Sequence, residues 1–243
     1  MESINIDKTA IVHPRAKLSP GVTVGPYSII EGDVTLGDNV RVGSHCVITG
    51  QTTLGRNCKI YTGAVVGSAP QDRKYGSDDN VHLQIGENNV IREYVTINPG
   101  TPEGGRKTVL GNNNLIMAYV HVAHDCIIGN NCIIANSVGL SGHVTLEDNA
   151  IMGGMTGVHQ FVRMGRLSIV GGLSRVVQDV PPFSTCVGYP AKVYNLNFVG
   201  LKRANVSTEV VMHLKKAFKF LFHSELSRSH AIEQIEKSGH GIY

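Results

Sequence analysis

Aliphatic residues recur along this chain at every sixth position. Ile6, Val12, Leu18, Val24, Ile30, Leu36, Val42, Ile48, Leu54, Ile60 and Val66 form one unbroken series. After a polar interruption come Ile85, Ile91 and Ile97, and a second long series runs from Leu110 through Ile116, Val122, Ile128, Ile134, Leu140, Leu146, Met152, Val158, Met164 and Val170 to Val176. Two residues before each aliphatic stands a smaller one, as at Ala10, Ala16, Ser28, Ala64 and Cys126. Glycine often comes next, as at Gly25, Gly43, Gly86 and Gly129. A phase of six held over so many units marks a repeat architecture. Each hexad reads as one short strand and a turn, and three hexads close an 18-residue triangular coil of a parallel β-helix. The aliphatic points into the prism, the small residue fits beside a corner, and glycine relieves crowding at the turn. Coils stacked at roughly 4.8 Å make about eight to nine layers and a prism roughly 40 Å tall.

Two stretches break the series. "GSAPQDRKYGSDDNVHLQ" (67–84) and "NPGTPEGGRKTV" (98–109) are polar and rich in Gly and Pro, so they are expected to leave the prism as loops. Flat walls offer no concavity, and loops are the available way to build one. The repeat ends after Val176 at "QDVPPFS", and from Ser207 the spacing changes. Val210, Leu214, Ala217, Phe218 and Leu221 share one helical face behind Ser207 as N-cap, and a second helix is predicted from about Ser229 to Lys237, ended by Gly239. The predicted architecture is all-β: a β-helix over residues 1–190 with loops near 67–84 and 98–109, followed by a C-terminal α-helical appendage over 191–243.

Composition agrees and narrows the class. The 243 residues include 28 Gly and no Trp, with 6% aromatics, which suits a core of small and β-branched side chains. A net charge of +3 makes no case for nucleic acid and is compatible with an acidic partner. The N-terminus lacks an apolar core region and no run of 18 apolar residues occurs, which predicts an unexported, cytoplasmic protein without a transmembrane segment. Five cysteines fit reduced thiols. Cys46, Cys58, Cys126 and Cys132 fall in the small-residue phase and read as buried small hydrophobes.

The repeat also sorts the histidines. Residues 18 apart stack on adjacent coils, so His124 lies under Gly142 and Asp125 under His143. His159 projects onto position 123 two coils away, and His121 stands on the same wall. A solvated face would mix Lys, Glu, Ser and Thr here. A zinc site is chemically sensible, because three imidazoles suit Zn²⁺. General-base acyl transfer needs an imidazole, a carboxylate to orient it and a donor for the developing oxyanion. His124, Asp125 and the backbone N–H of Gly142 offer these three. No nucleophile elbow is present, and no Ser or Cys is placed to form an acyl-enzyme, which favours direct attack by the acceptor.

At these residues the chain resembles the UDP-N-acetylglucosamine O-acyltransferase family, which opens lipid A biosynthesis. The motifs that carry the resemblance are "PQDRKY", "IREYVTINPGT", "HVAHDC", "LSGHV", "GGMTGVHQF", "VGGLSRVVQDVPP" and "GLKRA". The resemblance implies a left-handed β-helix, a homotrimer and sites in the clefts between subunits. It implies transfer of an (R)-3-hydroxyacyl group from acyl carrier protein to the glucosamine 3-position of UDP-N-acetylglucosamine. The donor arrives on the carrier's phosphopantetheine, so no further cofactor and no metal is implied. His124 matches the general base and Asp125 its neighbour. Gln71, Asp72 and Lys74 match the loop that approaches sugar and acyl chain, and His121, His143, His159 and Gln160 match substrate contacts. Gly172 matches the position that limits acyl length, and Asn197 and Arg203 match contacts near the C-terminal end of the site. Val199 and Ala204 stand where members carry an acidic residue and a second arginine, and Asn98 where histidine is frequent. A 3-amino sugar as acceptor and a hexapeptide zinc enzyme of the carbonic-anhydrase type remain as alternatives.

Overall fold

Each hexad has one inward position, and that position builds the molecule. In the computed structural model, which describes residues 3–76 and 80–237, two-residue strands follow one another around a triangle. They stack into three walls of eleven, nine and eight strands, here walls A, B and C in the order the chain visits them. Pairing is parallel and one coil apart, as Leu115 with Ile133 and His121 with Gly139, and the winding is that of a left-handed β-helix. The aliphatic series points inward: Ile48, Ile91, Ile97, Ile116, Ile134, Leu140 and Met152 are fully buried. The first coil is the exception. Ile6 is 42% exposed, and Val12 and Leu18 are only half-buried, because among the described residues nothing stacks below them.

The small-residue phase is buried as well. Cys46, Cys58, Cys126 and Cys132 are free thiols with no exposed surface, and burial pushes Cys126 up to about 12 and Cys132 to about 11. These are packing residues and stay protonated. Asn89 and Asn114 occupy the same phase and link the coils: Asn114 N donates to Asn89 Oδ1 (2.9 Å), and Cys132 N donates to Asn114 Oδ1 (2.7 Å).

Every coil turns three corners, most of them through a left-handed residue. The C–A corner uses Asn39, Asn57, Asn88, Asn113, Asn131 and Asn149, the residue type that tolerates this conformation best after glycine. The A–B corner departs from that rule with Tyr27, His45, Tyr94, Tyr119, Ser137, Met155 and Leu173. On the B–C corner stand Asp125, His143 and Phe161.

Both polar excursions leave the prism at the B–C corner on successive coils. They are shorter than the sequence implied, because His82–Ile85 and Lys107–Leu110 pair in register as four-residue strands of wall C. The excursions are therefore 67–81 and 98–106. The prism ends in a hairpin: Ser184–Gly188 joins wall A, and Ala191–Leu196 pairs antiparallel with it. The helical part thus begins at Phe198, beyond the expected boundary at 190. It comprises α1 (Phe198–Arg203), α2 (Thr208–Phe222) and α3 (Arg228–Lys237). Helix α1 is too short to show a period in the sequence. Ser207 caps α2 as anticipated, its side chain accepting from Val210 N. On the expected face of α2 only Phe218 is buried, packed with Leu196 and Leu201, while Leu221 stays 41% exposed. Gly239 lies outside the described residues. Among those residues no helix is long and apolar enough to cross a membrane.

Candidate active site

Wall B is concave because two of its outward positions have no side chain. Register stacks His121, Gly139, Gly157 and Arg175 on successive coils. A Cβ at Gly139 or Gly157 would meet only open space. The two glycines therefore form the floor of a concavity of about 500 Å³, with His121, His124, His159 and Arg175 around it and Gln71 leaning in from the first excursion.

Beside the floor, the B–C corner holds a chain of rings and one carboxylate. His124 Nδ1 lies 2.8 Å from Asp125 Oδ2, and the Asp125 side chain is fully buried. With the carboxylate accepting, Nδ1 carries the proton, and Nε2 is the ring nitrogen left for substrate. His143 stands edge-on to His124 at 5.2 Å, with its Nε2 3.8 Å from the same carboxylate oxygen. Phe161 stacks on the far face of His143 at 4.4 Å. His121 is braced by Thr96, whose hydroxyl is 2.7 Å from Nδ1, and burial together with the neighbouring His124 pulls its pKa below the ordinary histidine value.

Gly142 sits against His124. A Cβ there would fall 2.5 Å from His124 Cε1, so only glycine fits. Its turn position is the one that Pro14, Pro20 and Pro26 occupy in earlier coils. At Asn112 and Asn130 such a turn does donate, to an Asn or Asp side chain one coil on; among the described residues the Gly142 N–H has no such partner and is free for a ligand.

The structure thus unites Gln71, His121, His124, Gly142 and His159 around one concavity, with Asp125 and His143 behind His124. Other expected residues lie elsewhere in the single chain. Asp72 and Lys74 line an adjoining cavity of about 310 Å³ together with Thr101 and Glu103, and Lys74 pairs with Glu103 at 3.4 Å. Gln160 is exposed at the turn after His159, whose Nδ1 donates to its carbonyl. Gly172 is exposed near the A–B corner, above Gly154. Asn197 and Arg203 stand on wall A in a groove with Ile151, Ile169 and Val199. The Asn197 amide is already engaged, donating to Leu167 O and accepting from Gly200 N at 2.9 Å each. Sequence reading missed Thr101, Phe161, Arg175 and the two floor glycines. Only the glycines left a signal, at the strand position just before Leu140 and Val158.

A β-helix of hexads with an imidazole–carboxylate pair on one wall defines the class of hexapeptide-repeat transferases. The pattern described as bacterial transferase hexapeptide (six repeats) matches residues 15–50, 33–68 and 107–142. The second domain of UDP-N-acetylglucosamine O-acyltransferase matches residues 179–241. The acyl-[acyl-carrier-protein]–UDP-N-acetylglucosamine O-acyltransferase of Chlorobaculum tepidum is 58% identical, covering 95% of this chain and 87% of its own. That of Trichlorobacter lovleyi is 57% identical, covering 96% and 90%. The solved UDP-N-acetylglucosamine acyltransferase of Francisella novicida superposes with a TM-score of 0.93 at 36% identity, over 96% of this chain and 86% of that one. The chain belongs to the UDP-N-acetylglucosamine O-acyltransferase family.

Proposed function

We propose that the chain transfers an (R)-3-hydroxyacyl group from the phosphopantetheine thioester of acyl carrier protein to the 3-hydroxyl of UDP-N-acetylglucosamine by direct attack. The observation that carries this reading is the pairing of His124 Nδ1 with buried Asp125, one coil from an uncommitted Gly142 N–H. His124 Nε2 takes the proton of the sugar hydroxyl as its oxygen attacks the thioester carbonyl. The Gly142 N–H meets the resulting oxyanion. Collapse breaks the C–S bond, and the departing thiolate takes the proton back from His124. Charge is balanced throughout, and no second cofactor enters.

The same reading includes a homotrimer. The A–B corner holds Tyr27, Tyr94, Tyr119, Met155 and Leu173 in left-handed backbone, each more than half exposed. That conformation costs about 1–2 kcal/mol for such residues, and the asparagines of the C–A corner show how the fold turns at lower cost. Large apolar side chains at this corner gain when a second copy covers them. Three prisms directing this corner to a common axis bring wall B of one against wall A of the next. Asn197 and Arg203 of one copy then face the histidine wall of its neighbour.

A metal reading draws on one observation: donor atoms of His124, Asp125 and His143 lie within 4.8 Å of one another. The carboxylate speaks against it, because Asp125 Oδ1 already accepts from Thr101 N and Oδ2 from Thr101 Oγ1 and His124. The deciding experiment is His124→Ala in the assembled protein, assayed with carrier-bound donors against UDP-N-acetylglucosamine and its 3-amino analogue. Turnover is expected to fall at least ~10²–10⁴-fold, and prolonged chelation of the wild type to leave it unchanged. Near-normal turnover in the variant removes His124 from the chemistry, and activity lost with stoichiometric zinc supports the metal reading.

A further inference from the structure

The buried carboxylate is held from a direction outside the histidine column. Thr101, in the second excursion, donates its backbone N–H to Asp125 Oδ1 at 2.9 Å and its hydroxyl to Asp125 Oδ2 at 2.6 Å. The hydroxyl's direction is itself fixed, because Thr101 Oγ1 accepts from Gly104 N at 3.2 Å and so turns its proton toward the carboxylate. Thr101 O accepts from Gly104 N and Arg106 N, which closes the loop into a tight turn around this residue. Gly104 passes so near that a Cβ would fall 2.1 Å from Asp125 Cγ. Thr101 is only 6% exposed, so no solvent competes for these bonds.

We propose that Thr101 is a positioning residue for the transfer. Its two hydrogen bonds fix the plane of the Asp125 carboxylate, and through Oδ2 they fix the tautomer and aim of His124. The inference rests on the acyl-transfer reading. Asp125 sits at a left-handed corner with φ 60°, so the backbone sets where the side chain starts but not how the carboxylate turns about its last bond. Among the described residues, the polar groups facing it besides Thr101 are His124 at 2.8 Å and His143 at 3.8 Å, both of which belong to the site being oriented. The orienting bonds therefore have to come from the loop. That loop also supports the excursion carrying Gln71: Asn98 Nδ2 donates to Ser68 O at 2.9 Å, and Lys74 reaches Glu103. One peptide thus places both the carboxylate behind the base and the segment that overhangs the concavity.

Thr101→Val keeps the shape and removes the hydroxyl donor, whereas Thr101→Ser keeps the donor. With the full-length protein, Thr101→Val is expected to lower kcat roughly tenfold or more, a share of the ~10²–10⁴ that positioned proton transfer supplies. KM for both substrates should stay within about twofold, the split expected when only the chemical step is affected. Thr101→Ser should recover most of the loss. In ring-¹⁵N-histidine spectra the hydrogen-bonded Nδ1 proton of His124 should persist in wild type and Thr101→Ser and shift or vanish in Thr101→Val. If the valine variant does not assemble, Thr101→Ala, which removes the hydroxyl without adding bulk, carries the test, with kcat and the imidazole proton affected in the same way. A wild-type kcat in either variant overturns the proposal. So does an equal loss in the valine and serine variants accompanied by a lower Tm, which marks a purely structural role. His124→Ala runs alongside: activity there removes the acyl-transfer reading, while an inactive His124→Ala beside a fully active Thr101→Val removes only the role of Thr101.

Discussion

His121 shows how a single ring ties the concavity to the stability of the prism. Burial, reinforced by the nearby His124, holds its pKa below the ordinary 6.5. Above that value the ring is neutral folded and unfolded, and it contributes no pH dependence. As pH falls below it, the unfolded chain takes up the proton first, so stability is lost progressively toward the lower folded pKa. His121→Gln keeps a polar partner for Thr96 and removes the titration. Between pH 7.5 and 5 the wild type should lose more Tm than the variant, by on the order of a few °C. Parallel Tm curves would show that His121 titrates without strain. Residues also differ in how visible they are before the chain folds. His124 and Asp125 stood out because a strict repeat gives each position an address on a wall. Thr101 sits in a polar loop with no phase, and only closure of that loop over the B–C corner brings it to Asp125.

At the scale of elements, the repeat announced the strands because inward position and aliphatic identity share one period. The hairpin and α1 carry no period, and they were not foreseen. The A–B corner offers an elemental test of specificity. Gly154 and Gly172 stack on consecutive coils there, and Gly172 is exposed, with a Cβ 3.1 Å from Gly154 O. The family resemblance implies that Gly172 limits acyl length, and glycines on two adjacent coils place no side chain there to block a tail. Each buried methylene contributes about 0.8 kcal/mol, roughly fourfold in preference. Gly172→Met should block the tail and move the donor optimum several carbons shorter, while turnover on those shorter donors persists because His124 and Gly142 are untouched. Donors of graded length, compared by kcat/KM, decide it: an unchanged profile means the tail ends elsewhere.

For the molecule as a whole, the proposed trimer completes the site by bringing walls A and B together from different copies. Asn197 and Arg203 share no surface with His124 within one chain, although family resemblance placed all three in one site. The stacked Tyr94 and Tyr119 rings, 5.3 Å apart on the exposed corner, are where assembly can be probed. Tyr119→Asp should yield monomers by light scattering and reduce turnover at least tenfold, with the circular dichroism of the β-helix kept. A trimeric variant with full activity would place the contact on another face.

The stacking of identical coils has a further consequence. His124 and Gly142, the proposed base and oxyanion donor, belong to neighbouring layers, so their separation is tied to the spacing of parallel strands, about 4.8 Å. Such a chain behaves like a screw thread. Moving along it by a full turn raises a residue one step and keeps its bearing, while moving by a third of a turn sends it to another wall. Layers can therefore be gained or lost below the site without disturbing it, provided they come as whole turns. The two excursions obey the same rule: both leave at one corner and return in register, so the bearing of every histidine beyond them is preserved.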